Sequence, residues 1–221
     1  TLVSRPQVIS RRWEYHRVKR ILDFVLCLLL LPFVIPLMAL LSLLVILDSP
    51  GPAVFVQERI GKGGRIFRMY KFRTMTWNLD DSAHRAFMRA FVNGEIGEVA
   101  SEKVAFKPFS ESQVTRLGRI LRKTSLDELP QLIIVLKGEM SVIGPRPNVP
   151  WEVDAYKEWH KERLDARPGI TGLAQVNGRS CISFDRIVEY DLKYIKKQSL
   201  RMDLQILWLT VRSVIRADGA H

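Results

Sequence analysis

The chain has 221 residues, of which 47% are hydrophobic and 26% charged, so it can bury a core and is not a disordered polymer. Lysine and arginine number 34 against 23 acidic residues, which gives a formal net charge of +11. A chain this basic favours anionic partners such as nucleic acid, anionic lipid or phosphorylated substrates. Two cysteines and four scattered histidines exclude a disulfide framework and a zinc site of ordinary spacing. The sequence starts at Thr1 rather than at a methionine, so whether a further segment precedes it is left open.

The first predicted element is a membrane segment, because residues 24–47 contain no charged side chain. As a straight helix this run would reach ~36 Å, more than the ~30 Å hydrocarbon core of a bilayer. A buried core helix is the alternative, but soluble domains seldom contain so long an uncharged run. The run is also too long for a secretory signal, and no small-residue cleavage site follows it.

Two prolines, Pro32 and Pro36, interrupt the uncharged run. Each lacks a backbone N–H and costs ~3 kcal/mol inside an ordinary helix, so the segment is either a kinked span or a helix that enters, breaks and returns. Basic residues mark the cytoplasmic side of a membrane, and here both flanks of the segment are basic. We therefore predict a re-entrant helix over residues 18–47 that is broken at the prolines, with both ends on the cytoplasmic face.

Asp23 is the acidic residue nearest the start of the uncharged run. It follows Lys19 by four residues and Arg20 by three, so we expect it to pair with one of them on a shared helix face. The predicted organisation is then a basic N-terminal segment at residues 1–17, the re-entrant helix, and a cytoplasmic catalytic domain at residues 48–221 on the membrane surface.

The remainder of the chain is predicted to be α+β and mostly helical, in a protein that is monotopic in the membrane. Residues 53–60 and 65–74 are two strands around a glycine cluster, which indicates a small β-hairpin, since the GxxxxGK[ST] spacing of a phosphate loop is lacking. The helix that begins at Leu200 is amphipathic and packs on the core or lies on the membrane surface. Further helices are predicted at residues 78–98, 126–137, 153–164 and 185–197.

The strongest candidate site is the sequence Thr124–Pro130. Ser125 and Glu128 have capping-box spacing, which would place Asp127 and Glu128 in a first helical turn whose dipole keeps both carboxylates ionised. Ordinary helix-start acids are the alternative interpretation. Nearby cations favour chemistry instead: these are Arg116, Arg119, Arg122 and Lys123 before the motif, Arg146 in the Gly-Pro-Arg-Pro loop after it, and Lys71 and Arg73 on one face of a strand.

Adjacent carboxylates among several cations suit Mg²⁺ and phosphate chemistry. The metal and the arginines neutralise phosphoryl oxygens, while a carboxylate either binds the metal or attacks phosphorus. For the cations alone, a basic face attracted to anionic lipid is the competing interpretation.

Five motifs occur in order within residues 18–221. They are KRILD at Lys19–Asp23, KFRTM at Lys71–Met75, LRKTSLDELPQL at Leu121–Leu132, KGEMSVIGPRP at Lys137–Pro147 and RPGITGLAQVNGR at Arg167–Arg179. With these motifs the chain resembles the bacterial sugar transferases, the monotopic polyprenyl-phosphate phosphoglycosyl transferases. The terminal sequence DGAH at residues 218–221 is similar to the usual end of that family.

The resemblance implies an enzyme that moves a phosphosugar from a nucleotide sugar, expected to be UDP-linked, to polyprenyl (undecaprenyl) phosphate and releases a nucleoside monophosphate. This would be the first membrane step in assembling a glycoconjugate such as exopolysaccharide or lipopolysaccharide, at the cytoplasmic face of the bacterial inner membrane. It implies that Asp127 is the nucleophile, which forms an aspartyl-phosphosugar, and that Glu128 and Asp127 bind Mg²⁺. The residues expected to bind phosphate or substrate are Lys71, Arg73, Arg122, Arg146, Arg167, Gln175, Asn177, Arg179 and Asp191.

Two other functions stay open on the sequence. One is an inactive membrane-anchored scaffold for glycan-assembly enzymes, against which the intact Asp127, Glu128 and Arg146 argue. The other is a nucleic-acid binder, which only the net charge supports, since no helix-turn-helix, zinc module or aromatic single-strand platform is evident. The expected partners are thus the sugar donor, the polyprenyl phosphate and membrane lipid, without nucleic acid, and a homodimer is left open.

Overall fold

The computed structural model describes residues 10–77, 82–95, 113–178 and 182–216. Within these ranges the chain is mostly helical, with two small two-stranded sheets. The elements are α1 (Ser10–Asp48), β1 (Val54–Ile60), β2 (Ile66–Phe72), α2 (Ser82–Asn93), α3 (Arg116–Thr124), α4 (Gln131–Lys137), β3 (Ser141–Ile143), α5 (Pro150–Val153), β4 (Gly169–Thr171), α6 (Leu173–Val176), α7 (Phe184–Lys197) and α8 (Leu200–Arg216).

The N-terminal segment forms one continuous helix, α1, that contains both Pro32 and Pro36. The predicted break into two helical arms is therefore wrong. Each proline removes a single backbone hydrogen bond, while the turns on either side stay helical and are held against the domain. α1 is the one helix in the described part of the chain that is long and apolar enough to cross a membrane. It begins at Ser10, so residue 18 lies inside the helix rather than at its start.

One face of α1 packs on the rest of the protein along most of its length. Cys27 and Val34 belong to a buried cluster with residues of β2 and α4, and Leu41 and Val45 to a second cluster with β2 and α3. Their four- and seven-residue spacing places them on a single helix face. The opposite face is apolar and exposed, with Phe33 76% exposed. This arrangement lets α1 contact the domain on one side and lipid on the other.

Near its N-terminus α1 is fixed to the domain by polar contacts. Asp23 accepts hydrogen bonds from the Ser141 hydroxyl at 2.6 Å and from the Val142 backbone N–H at 3.3 Å. Lys19 instead pairs with Asp203 of α8 at 3.0 Å, and Arg20 donates to backbone carbonyls at the end of α4. The predicted pairing of Asp23 with Lys19 or Arg20 is therefore wrong, because each of these side chains has a tertiary partner.

The predicted hairpin is confirmed. β1 and β2 pair antiparallel with Ile60 opposite Ile66, and a short 3₁₀ turn at Lys62–Gly64 connects them. Gly63 has φ +68°, a left-handed conformation that favours glycine and explains the glycine cluster at this turn.

A second sheet was not predicted from the sequence. β3 and β4 pair in parallel, with Ser141 opposite Gly169 and Ile143 opposite Thr171. A Cβ added to Gly169 would overlap the backbone nitrogen of Gly144, so the two backbones approach closely where glycine leaves room. Strands of three residues are too short to show an alternating pattern.

The remaining predicted helices agree with the structure to different degrees. α7 and α8 confirm the predictions near the C-terminus, and α2 confirms a helix within residues 78–98. The single helix predicted at residues 153–164 is corrected, because the chain forms the short α5 and then a 3₁₀ helix at Glu158–Asp165. Residues 96–112 and the final five residues lie outside the described part of the chain.

Candidate active site

Asp127 and Glu128 lie in a short 3₁₀ turn at Leu126–Glu128, between α3 and α4. The predicted capping box is wrong, because the Ser125 side chain makes no capping hydrogen bond. Ser125 instead ends α3 in the left-handed region, with φ +56°, and its N–H donates to the Arg122 carbonyl. This reversal ends α3 before the acidic pair, and the helix predicted from residue 126 begins as α4 only at Gln131.

Glu128 is held by cations from two other parts of the chain. Its Oε1 accepts from Lys71 Nζ at 2.8 Å and from both terminal guanidinium nitrogens of Arg146 at 3.1 Å. Burial opposes ionisation here, but Lys71 and Arg146 outweigh it and hold the pKa of Glu128 at about 2. Burial lowers the pKa of Lys71, although Glu128 acts in the other direction. The result is an ionised cluster that joins β2, the 3₁₀ turn and the Gly-Pro-Arg-Pro loop.

Asp127 differs from its neighbour because its carboxylate makes no hydrogen bond or ion pair with any described residue. Burial raises the pKa of Asp127, and the charges of Lys71, Arg146 and Arg122 oppose that rise. Arg122 is oriented by its Nε, which donates to the Thr74 hydroxyl at 2.9 Å. Asp127 is thus a free carboxylate surrounded by cations that an anionic substrate would also contact.

A large cavity of about 1100 Å³ contains this group. Its wall also includes Leu30 and Val34 of the apolar part of α1, so the cavity extends from the charged cluster to the helix that is apolar enough for a bilayer. Eight of the predicted site residues line this cavity together. They are Lys71, Arg73, Arg122, Asp127, Glu128, Arg146, Gln175 and Asp191.

Arg73 lines the cavity, but its Nη1 and Nη2 donors are bonded within the protein, while its Nε is buried without a hydrogen-bond partner in the described structure. Its guanidinium donates to the backbone carbonyls of Val45, Ser49 and Pro50 at the end of α1, at 3.2 Å and 2.6 Å for the first two. It is 4% exposed. Nη1 and Nη2 of Arg73 hold the C-terminal end of α1, whose last carbonyls have no partner within the helix, and the role of Arg73 in binding phosphate stays a prediction.

A buried polar group forms another part of the cavity wall. Asp191, 1% exposed, pairs through Oδ2 with Arg163 at 2.6 Å, and burial raises the pKa of Asp191 to about 6. Arg163 also donates to Asn148 Oδ1 at 2.7 Å and to the Tyr156 hydroxyl at 2.8 Å. Asp191 Oδ1 and both polar atoms of the Gln175 amide are buried without a hydrogen-bond partner in the described structure. Such atoms are costly unless a ligand or water satisfies them.

Sequence reasoning missed Arg163 and its partners. The residue lies in a charged stretch, and no motif distinguishes it from its exposed neighbours Lys161 and Glu162. Only its burial against α7 identifies it. Its Nη2 also donates to the Arg146 backbone carbonyl at 3.0 Å, which links Asp191 to the loop that carries Arg146.

Two predicted site residues within the described ranges do not line this cavity. Arg167 lines a separate cavity beside the N-terminal part of α1. Asn177 is exposed, and its Nδ2 donates to the Leu173 carbonyl of its own helix at 2.7 Å. The structure thus does not bring these two residues together with Asp127, and their predicted role in binding substrate stays a prediction. Arg179 lies outside the described residues.

Comparison with known proteins gives relatives with similar names. The chain is 41% identical over 204 residues to the undecaprenyl-phosphate galactose phosphotransferase of Salmonella typhimurium, a match that covers 92% of this chain and 42% of that protein. It is 38% identical over 213 residues to the UDP-N-acetylgalactosamine-undecaprenyl-phosphate N-acetylgalactosaminephosphotransferase of Aeromonas hydrophila, covering 94% and 46% respectively. The chain therefore spans less than half the length of these two relatives.

A third relative is matched over more of its length. The UDP-glucose:undecaprenyl-phosphate glucose-1-phosphate transferase of Caulobacter vibrioides is 39% identical over 228 residues, which cover 100% of this chain and 78% of that protein. The family described as bacterial sugar transferase matches residues 14–217. Since this range holds most of α1, the 3₁₀ turn with Asp127 and all the cations around it, the chain belongs to the bacterial sugar transferase family.

Proposed function

We propose that the chain transfers a phosphosugar from a UDP-sugar to undecaprenyl phosphate, through a covalent intermediate on Asp127. The observation that carries this proposal is the free Asp127 carboxylate beside Lys71, Arg122 and Arg146 in one large cavity. Relatives named for galactose, glucose and N-acetylgalactosamine transfer to undecaprenyl phosphate support the reaction class. The sugar itself is left open by the variety of these names.

In the first half-reaction, a carboxylate oxygen of Asp127 attacks the phosphorus that carries the sugar. The bond from that phosphorus to the bridging diphosphate oxygen breaks, and the bridging oxygen leaves with UMP. The product is an acyl phosphate between Asp127 and the sugar phosphate. Lys71, Arg122 and Arg146 would stabilise the charge on the phosphoryl oxygens during this step.

In the second half-reaction, a phosphate oxygen of the polyprenyl carrier attacks the same phosphorus. The acyl bond to Asp127 breaks, the carboxylate is regenerated, and polyprenyl-diphosphate-sugar leaves. The lipid acceptor must reach the cavity from the membrane, and Leu30 and Val34 place the apolar side of α1 at the cavity wall. One nucleophile can then serve a soluble donor and a lipid acceptor in turn.

We propose that Mg²⁺ binds at the acidic pair, because Lys71 and Arg146 both bond to Oε1 of Glu128 and leave its Oε2, like the Asp127 carboxylate, without a hydrogen bond from any described residue. Mg²⁺ prefers hard oxygen donors and is commonly held by one or two carboxylates together with substrate phosphates. No group of three or more His, Cys, Asp or Glu side chains comes together among the described residues, so the proposed site has only these two carboxylates as protein ligands. Glu128 and Asp127 would supply the protein ligands, and the diphosphate would supply others. The metal's contribution when bound would be to neutralise phosphoryl charge.

The buried polar atoms at Gln175 and Asp191 are proposed to bind hydroxyl or amide groups of the donor. Both side chains line the Asp127 cavity, and both carry atoms that have no partner among the described residues. A hydroxyl group of the UDP-sugar can donate a hydrogen bond to Asp191 Oδ1 or Gln175 Oε1, and it can accept one from the Gln175 amide N–H. These two residues are therefore proposed to contribute to sugar or nucleoside recognition.

The protein is proposed to be monotopic at the cytoplasmic face of the bacterial inner membrane. Tyr15 and Lys19, early in α1, and Asp48, at its end, all contact the same domain. The domain lies on one side of the bilayer. A helix whose two ends are both attached to that domain therefore cannot place its ends on opposite sides. A helix immersed in the bilayer without crossing it keeps both basic flanks on the cytoplasmic side.

The test is an acid-quenched half-reaction without acceptor, followed by intact-mass analysis. Purified protein with Mg²⁺ and each of several UDP-sugars should release up to one equivalent of UMP and gain the mass of one sugar phosphate. Asp127→Asn should do neither and should keep its fold, while Asp154→Asn, at an exposed acid beside α5, should behave like wild type. UMP release that strictly requires the acceptor contradicts the covalent step. No release from any donor, with or without acceptor, favours the scaffold function.

A further inference from the structure

A second cavity, of about 530 Å³, lies beside the N-terminal part of α1. α1, the hairpin turn at Lys62, β3 and the loop that carries Arg167 form its walls. It shares no lining residue with the cavity around Asp127. The proposed reaction at Asp127 therefore does not account for this second cavity.

The second cavity carries an excess of positive charge. Five cations line it against one carboxylate, that of Asp23. Asp23 already accepts hydrogen bonds from β3, and Lys19 is paired with Asp203. The five lining cations are Arg17, Lys19, Arg20, Lys62 and Arg167.

Two of these cations have no protein partner in the described structure. Neither Lys62 nor Arg167 makes a hydrogen bond or an ion pair with any residue in the described ranges. Partial burial and the like charge of Arg20 lower the pKa of Arg167. An anion between these groups would supply hydrogen-bond acceptors and relieve the repulsion.

The same cavity is apolar on one side. Trp13 and Ile21 line it, and the Arg17 guanidinium lies 3.9 Å from the centre of the Trp13 ring. Directly after Asp23 the exposed, uncharged face of α1 begins, with Phe24 and Leu28 on the surface. Cations, a tryptophan and an apolar helix face thus meet at one level, which is the pattern of a membrane–water interface.

We propose that this cavity binds the phosphodiester headgroup of an anionic membrane phospholipid, with the acyl chains lying along the exposed face of α1. Any phosphate anion shares the chemistry that Lys62 and Arg167 recognise. The exposed apolar face of α1 beside the cavity favours a lipid over a free phosphate, since a free phosphate would leave that face without a partner. The inference depends on the proposed membrane association of α1 and is independent of the proposed phosphosugar transfer.

The test measures lipid retention by the purified full chain in a neutral detergent. Phosphatidylglycerol, phosphatidylcholine and inorganic phosphate are added separately, and native mass spectrometry counts the bound molecules. Wild type should retain one phosphatidylglycerol and no phosphatidylcholine. Arg167→Gln and Lys62→Gln should each weaken retention about fivefold, the usual effect of one basic residue near an anionic lipid. The matched control is Lys193→Gln, which changes an exposed cation on α7 outside this cavity and should leave retention unchanged.

A second readout locates the lipid. Phosphatidylglycerol brominated near the headgroup should quench part of the tryptophan fluorescence, and Trp13→Phe should remove that part. This arm keeps the proposal testable if Arg167→Gln does not fold.

Three results would overturn the proposal. They are equal retention of phosphatidylcholine, retention that neither Lys62→Gln nor Arg167→Gln weakens, and displacement of phosphatidylglycerol by an equal concentration of undecaprenyl phosphate or of inorganic phosphate. The third result would assign the cavity to the acceptor or to a free anion. Since no donor is present in the assay, none of these results depends on transfer activity.

Discussion

Lys71 Nζ lies 2.8 Å from Glu128 Oε1, and this ion pair joins the end of β2 to the turn that carries Asp127. Both side chains are less than one-fifth exposed. The pair fixes the position of the turn and leaves the neighbouring carboxylate without a partner among the described residues. Glu128 thereby holds the turn in place, and Asp127, the proposed nucleophile, is left available to react.

The first prediction concerns the metal. Glu128→Gln should raise the Mg²⁺ concentration needed for half-maximal UMP release by about tenfold or more, because an amide is a poorer Mg²⁺ ligand than a carboxylate. Mg²⁺ titrations of the half-reaction measure this value. Glu139→Gln, at an exposed glutamate after α4, is the control and should leave it unchanged. Full activity of wild type in excess EDTA would be incompatible with a metal requirement.

The second prediction concerns pH. In the proposed reaction Asp127 must be ionised to attack phosphorus, and burial raises the pKa of Asp127. The rate of UMP release should therefore fall as the pH is lowered. This fall should begin at a higher pH than it would if the nucleophile were an aspartate with an ordinary pKa. Arg122→Gln removes a charge that favours the ionised form and should move this acidic limb to still higher pH.

The pH profile of kcat/KM for the free enzyme reports this limb. Arg119→Gln, at an exposed arginine on α3, should leave the limb in place. A limb that moves to lower pH in Arg122→Gln would contradict the assigned role of Arg122.

The third prediction concerns the buried pair of Arg163 and Asp191. Arg163→Met should lower the free energy of unfolding by about 3–5 kcal/mol, because it leaves the Asp191 carboxyl buried without its cation. Adding Asp191→Asn should recover part of the loss, since the unpaired charge is then removed. Denaturant unfolding in detergent measures both variants. Arg186→Met, which breaks the exposed pair with Glu189, should change stability little, and an equal loss there would show that burial is not the cause.

The fourth prediction concerns orientation in the membrane. Single cysteines at Ser10, where α1 begins, and at the exposed Arg68 of β2 are placed in a chain without Cys27 and Cys181. Both should be labelled by a membrane-impermeant thiol reagent in inverted vesicles, and neither in right-side-out vesicles. Labelling of the two sites from opposite faces would show that α1 spans the bilayer.

Some features of the protein follow from local sequence. The absence of charge in residues 24–47 predicts a membrane-seeking helix, and the glycine cluster between two strands predicts the hairpin. Both properties depend on residues that are neighbours in the chain. The adjacent Asp127 and Glu128, followed by the loop with Arg146, likewise indicate the site through residue type and spacing alone.

The tertiary structure decided what those residues do. Arg73 and Lys71 are two positions apart, yet one caps α1 and the other pairs with Glu128. Arg163 and Asp191 are 28 positions apart, and only the packing of the 3₁₀ segment on α7 brings them together. α1 continues through two prolines because the domain holds its buried face on either side of them. Charge and spacing are properties of the chain, whereas the partner of a buried polar group depends on which distant elements pack around it.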